Sequence, residues 1–165
     1  MKDRRGLTLV ELVVAITIMG LSVPVLLTLF AFVAKPSAQT DSIIRCTELA
    51  HALMDQVTSK WYDELTAKDV NGDWSVIGPD TGETGSSLYD DVDDYNGFSE
   101  ALTGNLAGFT RTVVVQYAAV SGMVVVADTS RTNNYKLITV TVTGPGGGSA
   151  QVVNLATTAN NQQAT

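Results

Sequence analysis

The sequence predicts an α+β fold: a long N-terminal helix, apolar in its first half and amphipathic in its second, packed on a small antiparallel β-sheet. Three observations predict it. From Leu12 to Ala34 no residue is charged. From Ala38 to about Glu64 apolar residues recur at three- and four-residue steps, the period of one helix face. Beyond residue 108 the chain turns to β-branched runs, among them Lys136 to Thr143, where Ile138, Val140 and Val142 alternate with Thr139, Thr141 and Thr143.

The apolar run comes first in the chain. At 1.5 Å per residue, Leu12 to Ala34 makes a helix of roughly 35 Å, enough to cross about 30 Å of hydrocarbon. Lys2, Arg4 and Arg5 precede it. That asymmetry predicts a single-pass membrane segment with a cytoplasmic N-terminus and a C-terminal body on the far side of the membrane. A secretory signal peptide also pairs a basic start with an apolar run. Its apolar region is shorter, however, and Ala31-Phe32-Val33-Ala34 makes a poor small-x-small cleavage site. Neither a signal peptide nor a simple signal anchor accounts for Glu11, a carboxylate at the edge of an otherwise uncharged span. An ionisable group there is costly unless paired, and is a functional candidate by default.

The string Gly6-Leu7-Thr8-Leu9-Val10-Glu11 resembles the signal of type IV prepilins and pseudopilins. The resemblance implies that residues 1–6 are a leader, that a prepilin peptidase cuts between Gly6 and Leu7 and methylates Leu7, and that residues 7–34 are the transmembrane and assembly helix. It also implies a role for Glu11: its carboxylate neutralises the N-terminal amine of a neighbouring subunit in a dry environment. Many major pilins of this family carry a helix-breaking proline further along the span. Here Pro24 stands earlier, after Gly20 and Ser22, where it either kinks the helix or is tolerated within it.

Lys35-Pro36-Ser37 punctuates the run, and Pro36 suits the first turn of a renewed helix. Residues 35–64 are read as amphipathic, with Ile43, Ile44, Cys46, Leu49, Ala50, Leu53, Met54, Val57 and Trp61 on one side and Asp41, Arg45, Glu48, Asp55, Ser59 and Lys60 on the other. Cys46 near the apolar stripe is read as a small core residue, and as the single cysteine it excludes an intrachain disulfide. His51 has no second histidine or cysteine at zinc-ligand spacing and is given a surface or capping role.

Residues 65–108 carry turn chemistry, with VNGDW, IGPDTGETGSS and YDDVDDYNG, and predict an ordered loop or short strands. Between Asp63 and Gly108 there are eleven acidic residues and one lysine. Asp90, Asp91, Asp93 and Asp94 admit two readings. One is a solvated acidic surface. The other is a calcium site or partner-facing patch, because these side chains offer hard oxygen ligands within a short stretch, although without EF-hand spacing. Calcium is the only cofactor that enters the reading, and no metal site is assigned.

Phe109 to Val120, Met123 to Ala127, Lys136 to Thr143 and Ala150 to Ala156 predict about four antiparallel strands in a head spanning 109–156, with a turn at Gly144-Pro145-Gly146-Gly147-Gly148 and a flexible tail over 157–165. The segments ELAHALMDQVTSKWYDE, IGPDTGETGSSLYDDVDDYNGF and YKLITVTVTGPGG are similar to the MshD-type minor pilins of the mannose-sensitive haemagglutinin pilus system. That similarity implies a low-abundance structural subunit acting in initiation or at the tip, with other major and minor pilins and the inner membrane as partners.

Two other functions compete. A minor pseudopilin of a type II secretion system shares the start and the fold. A membrane-anchored periplasmic enzyme would need a catalytic set, yet the sequence offers no Ser/His/Asp grouping, no metal-ligand spacing and no phosphate-binding glycine loop before a helix. Nucleic acid is excluded as a partner by the charge: 17 Asp and Glu against 10 Lys and Arg, with a pI near 4.4.

Overall fold

The computed structural model describes residues 8–65 and 67–158, with the side chains of residues 33–38 excepted. Helix α1 spans Leu9–Thr58 and is unbroken through Pro24 and Pro36, so Pro36 does not open a separate helix. The chain forms two compact units, Met1–Thr40 and Asp41–Thr165.

In the first unit, Leu9–Phe32 is a stretch of 24 residues with mean hydropathy 2.5, none of it buried within the chain. Its length of about 36 Å matches a bilayer core. The hydroxyls of Ser22 and Thr28 donate back to the carbonyls of Met19 (3.3 Å) and Val25 (2.8 Å), and that of Thr17 to Val13. Their polar atoms are therefore satisfied within the helix, as hydrocarbon requires.

In the second unit, residues 41–58 of α1 bury Ser42, Cys46, Ala50, Leu53, Met54 and Val57, one stripe at helical spacing. Burial raises the Cys46 thiol, with a hydrogen bond to Ser42 opposing, as suits a core residue rather than a nucleophile. His51 is exposed. The helix ends at Thr58, short of Glu64, because Thr58 and Ser59 turn their hydroxyls onto the carbonyls of Met54 (2.9 Å) and Gln56 (2.7 Å). Trp61 then leaves the helical path to form a parallel bridge with Asp91. Trp61 is consequently 42% exposed, and Ile43 and Ile44 also face outward.

The sheet has five strands: β1 Ser99–Ala101, β2 Thr110–Ser121, β3 Val124–Asp128, β4 Tyr135–Thr143 and β5 Ser149–Thr157. All pairings are antiparallel, in the order β1-β2-β4-β5, with β3 hairpinned onto the far end of β2. The strand beyond the expected four is β1, inside the acidic region, where Glu100 stands opposite Arg111 and pairs with its guanidinium. The register aligns Val113 with Val140 and Val152, Val115 with Ile138, and Tyr117 with Lys136 and Ala156. Val113, Val115, Ile138, Val140 and Val142 join the buried helix stripe in one core. Each such side chain contributes roughly 1.5–3 kcal/mol by leaving water.

The Gly144–Gly148 turn seats against the helix. Ser42 Oγ donates to the Pro145 carbonyl at 2.8 Å, and Gly144 N donates to Gly148 O at 2.8 Å. A Cβ on Gly148 would come 2.8 Å from Ser42 Cβ, so glycine there permits a close approach that alanine would block.

Candidate functional site

Two sets of residues merit construction from the sequence upward. The first is the N-terminal one. Gly6 and Leu7 lie outside the described residues. Glu11 sits in the first turn of α1, its backbone N–H capped by Thr8 Oγ1 at 3.3 Å. An acidic residue is favoured there by the partial positive charge of the helix start. From Leu12 to Phe32 the exposed side chains are apolar or hydroxyl-bearing, so a charged Glu11 carboxylate placed in hydrocarbon is costly unless it is paired.

The second set lies in the acidic region, and here the structure separates four aspartates that the sequence groups. Asp90 is exposed, whereas Asp91, Asp93 and Asp94 are each only 2% exposed. A solvated acidic face is therefore wrong for three of the four. Asp93 meets its counter-charge inside the fold. Lys136, fully buried on β4, donates to Asp63 Oδ2 at 2.9 Å, to the Tyr62 carbonyl at 2.7 Å and to Asp93 Oδ1. The rings of Tyr62 and Tyr117 lie 4.6 and 5.5 Å from its ammonium. Ser75 Oγ stands 2.9 Å from both Asp63 Oδ2 and Asp93 Oδ2, and Tyr117 donates its hydroxyl to the Ser75 carbonyl at 2.8 Å. Burial, reinforced by the Asp63 and Asp93 charges, pushes both tyrosine hydroxyls well above their ordinary range.

Asp91 and Asp94 shape the loop. Asp91 accepts the backbone N–H groups of Glu64 (2.8 Å), Asp93 (2.8 Å) and Asp94 (3.2 Å), while Asp94 Oδ2 accepts those of Asp90 (3.0 Å) and Asp91 (3.1 Å). This is the local side-chain capping that aspartate performs at turns. Burial, with the Asp93 carboxylate adjoining, pushes Asp91 up to about 9, against the opposing charge of Lys136.

The outward side of the same loop is a carboxylate cluster of different membership. Glu83, Asp90 and Asp94 bring oxygens within 4.8 Å of one another, the arrangement a divalent cation could bridge. Asp91 and Asp93 are turned elsewhere. Next to this group Glu64 is raised to about 7, chiefly by a hydrogen bond with Asp80, then by partial burial and the charges of Asp80, Asp90 and Asp94. A hydrogen bond with Asp94, followed by burial, likewise raises Glu83.

Sequence reasoning missed Lys136, Asp63, Ser75 and Glu83. For Lys136 a signal existed: it is in phase with Ile138, Val140 and Val142, so the alternation that buries those three buries the lysine with them. Asp63 and Ser75 lie in irregular chain, where no period reveals which way a side chain points.

Residues 1–23 match the model for the prokaryotic N-terminal methylation motif. No curated protein and no solved structure shows significant similarity to the chain.

Proposed function

We propose that the chain is a minor type IV pilin: a structural subunit cut between Gly6 and Leu7, methylated at Leu7, and built into a filament through its apolar helix. The observation that carries this is the methylation motif at residues 1–23, running into a helix of mean hydropathy 2.5. The motif supports a type IV pilin or pseudopilin and implies processing by a prepilin peptidase and assembly with other pilins. The apolar helix and an α+β head agree with that class.

In this reading the N-terminus is cytoplasmic during insertion, the head is periplasmic, and Glu11 sets register by pairing with the new amine of a neighbouring subunit. The finer reading, a low-abundance subunit of the mannose-sensitive haemagglutinin pilus system akin to the MshD type, rests on the similarity of the segments quoted above. The acidic loop would face partner subunits through Glu83, Asp90 and neighbouring carboxylates, since Asp91 and Asp93 are committed to the fold.

Mass spectrometry of protein extracted from membranes tests the core of the proposal. The expected species lacks residues 1–6 and carries a methyl group on Leu7. An intact N-terminus in a host with an active prepilin peptidase, or a cut near Ala34, would overturn it. Co-purification then separates the finer readings: recovery with sheared pili supports the minor pilin, and recovery only with a secretion-system base supports the pseudopilin.

A further inference from the structure

Lys136 is a buried amine that filament assembly leaves unused. We propose that Lys136 and Asp93 become joined by an intramolecular amide, a covalent fastener between strand β4 and the acidic loop that the chain's own side chains make. The site reacts, on this proposal, without a neighbouring subunit, so it stands or falls separately from the filament reading.

The geometry divides the labour among the residues. Lys136 Nζ touches Asp93 Oδ1 and lies 2.9 Å from Asp63 Oδ2, with Tyr62 and Tyr117 walling the pocket and the lysine wholly buried. Holding amine and carboxyl in contact replaces an encounter in solution, which is worth several powers of ten in rate. The pocket also keeps bulk water away from the reacting atoms, Lys136 being fully buried.

Asp63 is the more heavily hydrogen-bonded of the two carboxylates. Besides Lys136 it accepts from Leu65 N (3.0 Å) and Ser75 N (3.3 Å), and Ser75 Oγ lies 2.9 Å away. Its Oδ2, 2.9 Å from Lys136 Nζ, is placed to take the amine's protons, which assigns it the part of base. Asp93 meets Lys136 through Oδ1 and Ser75 Oγ at 2.9 Å through Oδ2, beside the Asp91 carboxyl, so its Cγ is the carbon placed for attack. Ser75 Oγ touches both carboxylates and has a single proton, so it can pass one between them.

The Lys136 ammonium gives a proton to Asp63, and the Ser75 hydroxyl relays a proton to Asp93 Oδ2, leaving a neutral amine beside a neutral acid. The Nζ lone pair attacks Asp93 Cγ and forms the C–N bond. Nζ then loses a second proton to Asp63, which returns it through Ser75 to Oδ2, and the Cγ–Oδ2 bond breaks with release of water. One ammonium and one carboxylate become one secondary amide and one water, and Asp63 and Ser75 end unchanged.

Intact-mass measurement on the purified full chain reads the outcome directly. The expected mass is lower than the sequence mass by one water, after any leader removal and methylation are counted. Proteolysis should release a branched peptide linking Lys136 to Asp93. The variant Asp63→Asn should fold, by circular dichroism, and keep the full mass. A folded parent chain at full mass with no branched peptide overturns the proposal and leaves an ion pair only. A link to Asp63 instead, or a water loss that survives Asp63→Asn, overturns the assignment of electrophile and base.

Discussion

Lys136 and Asp63 are both fully buried at the side chain and meet at 2.9 Å, joining the middle strand of the sheet to the first residues after the helix. The contact matters because residues 61–95 have little regular structure of their own. A parallel bridge at Trp61 and Asp91, the edge-on packing of Tyr62 on Trp74 at 5.3 Å, and this ion pair fix that segment to the core. A buried pair is weak evidence of net stabilisation, since desolvation offsets the attraction, but breaking it leaves stranded charge.

Replacing Lys136 with methionine should therefore be severe. Relative to the ion-paired parent, Lys136→Met leaves Asp63 and Asp93 buried without their cation and should cost about 3–5 kcal/mol in urea unfolding. A loss below about 1 kcal/mol, the size of an ordinary surface change, would mean that water reaches the carboxylates and that the burial has little consequence.

Glu64 supplies a pH dependence with a definite sign. Its folded value, about 7, lies above the ordinary 4.5. The folded state then binds more protons than the unfolded one between those values, so this contribution is full at acid pH and is lost as pH rises through about 7. In chelator, the melting temperature should fall between pH 5 and 8, and Glu64→Gln, which mimics the protonated side chain toward Asp80, should flatten the fall. An unchanged slope in the variant would assign the dependence to another group. Asp91, held up to about 9, acts in the same sense at higher pH.

Much of this architecture was legible from periodicity. The apolar run, the buried stripe from Cys46 to Val57 and the alternation through Val142 each follow from a repeat that burial imposes on side-chain spacing. The acidic loop was not legible, because in irregular chain the direction of a side chain is fixed by distant partners. Asp91 and Asp93 look alike in sequence, yet one caps backbone N–H groups and the other meets a lysine far along the chain. Counting acids against the nearby Lys68 suggested solvent exposure. The relevant cation was Lys136, contributed by the sheet.

The Gly144–Gly148 turn offers a packing test. Gly148→Ala drives a methyl group to 2.8 Å from Ser42 Cβ and 3.2 Å from the Ser42 backbone carbonyl carbon. Overpacking of this kind should cost about 1–3 kcal/mol. Adding Ser42→Gly removes the obstructing side chain and should recover part of that loss. Equal losses in the single and double variants would show that the backbone, not the Ser42 side chain, sets the limit.

The last prediction concerns Glu11 and reads assembly rather than stability. On the proposed reading insertion depends on the apolar span and cleavage acts between Gly6 and Leu7, so Glu11→Ala should leave the membrane-bound, processed protein near its normal amount. Incorporation is different, because in a dry interface between subunits a free amine without its counter-charge is costly. A deficit of only 1.4 kcal/mol lowers occupancy about tenfold, so the variant should be depleted to that degree in sheared filaments. Glu11→Gln should be depleted similarly, since it keeps the shape and loses the charge, whereas Glu11→Asp should be intermediate. Quantitative immunoblots of sheared filaments against whole membranes measure the ratio. Normal incorporation of the alanine and glutamine variants would show that this subunit sits where no neighbouring amine faces Glu11, as at the end of a filament, and would remove the charge pairing from the account of how it assembles.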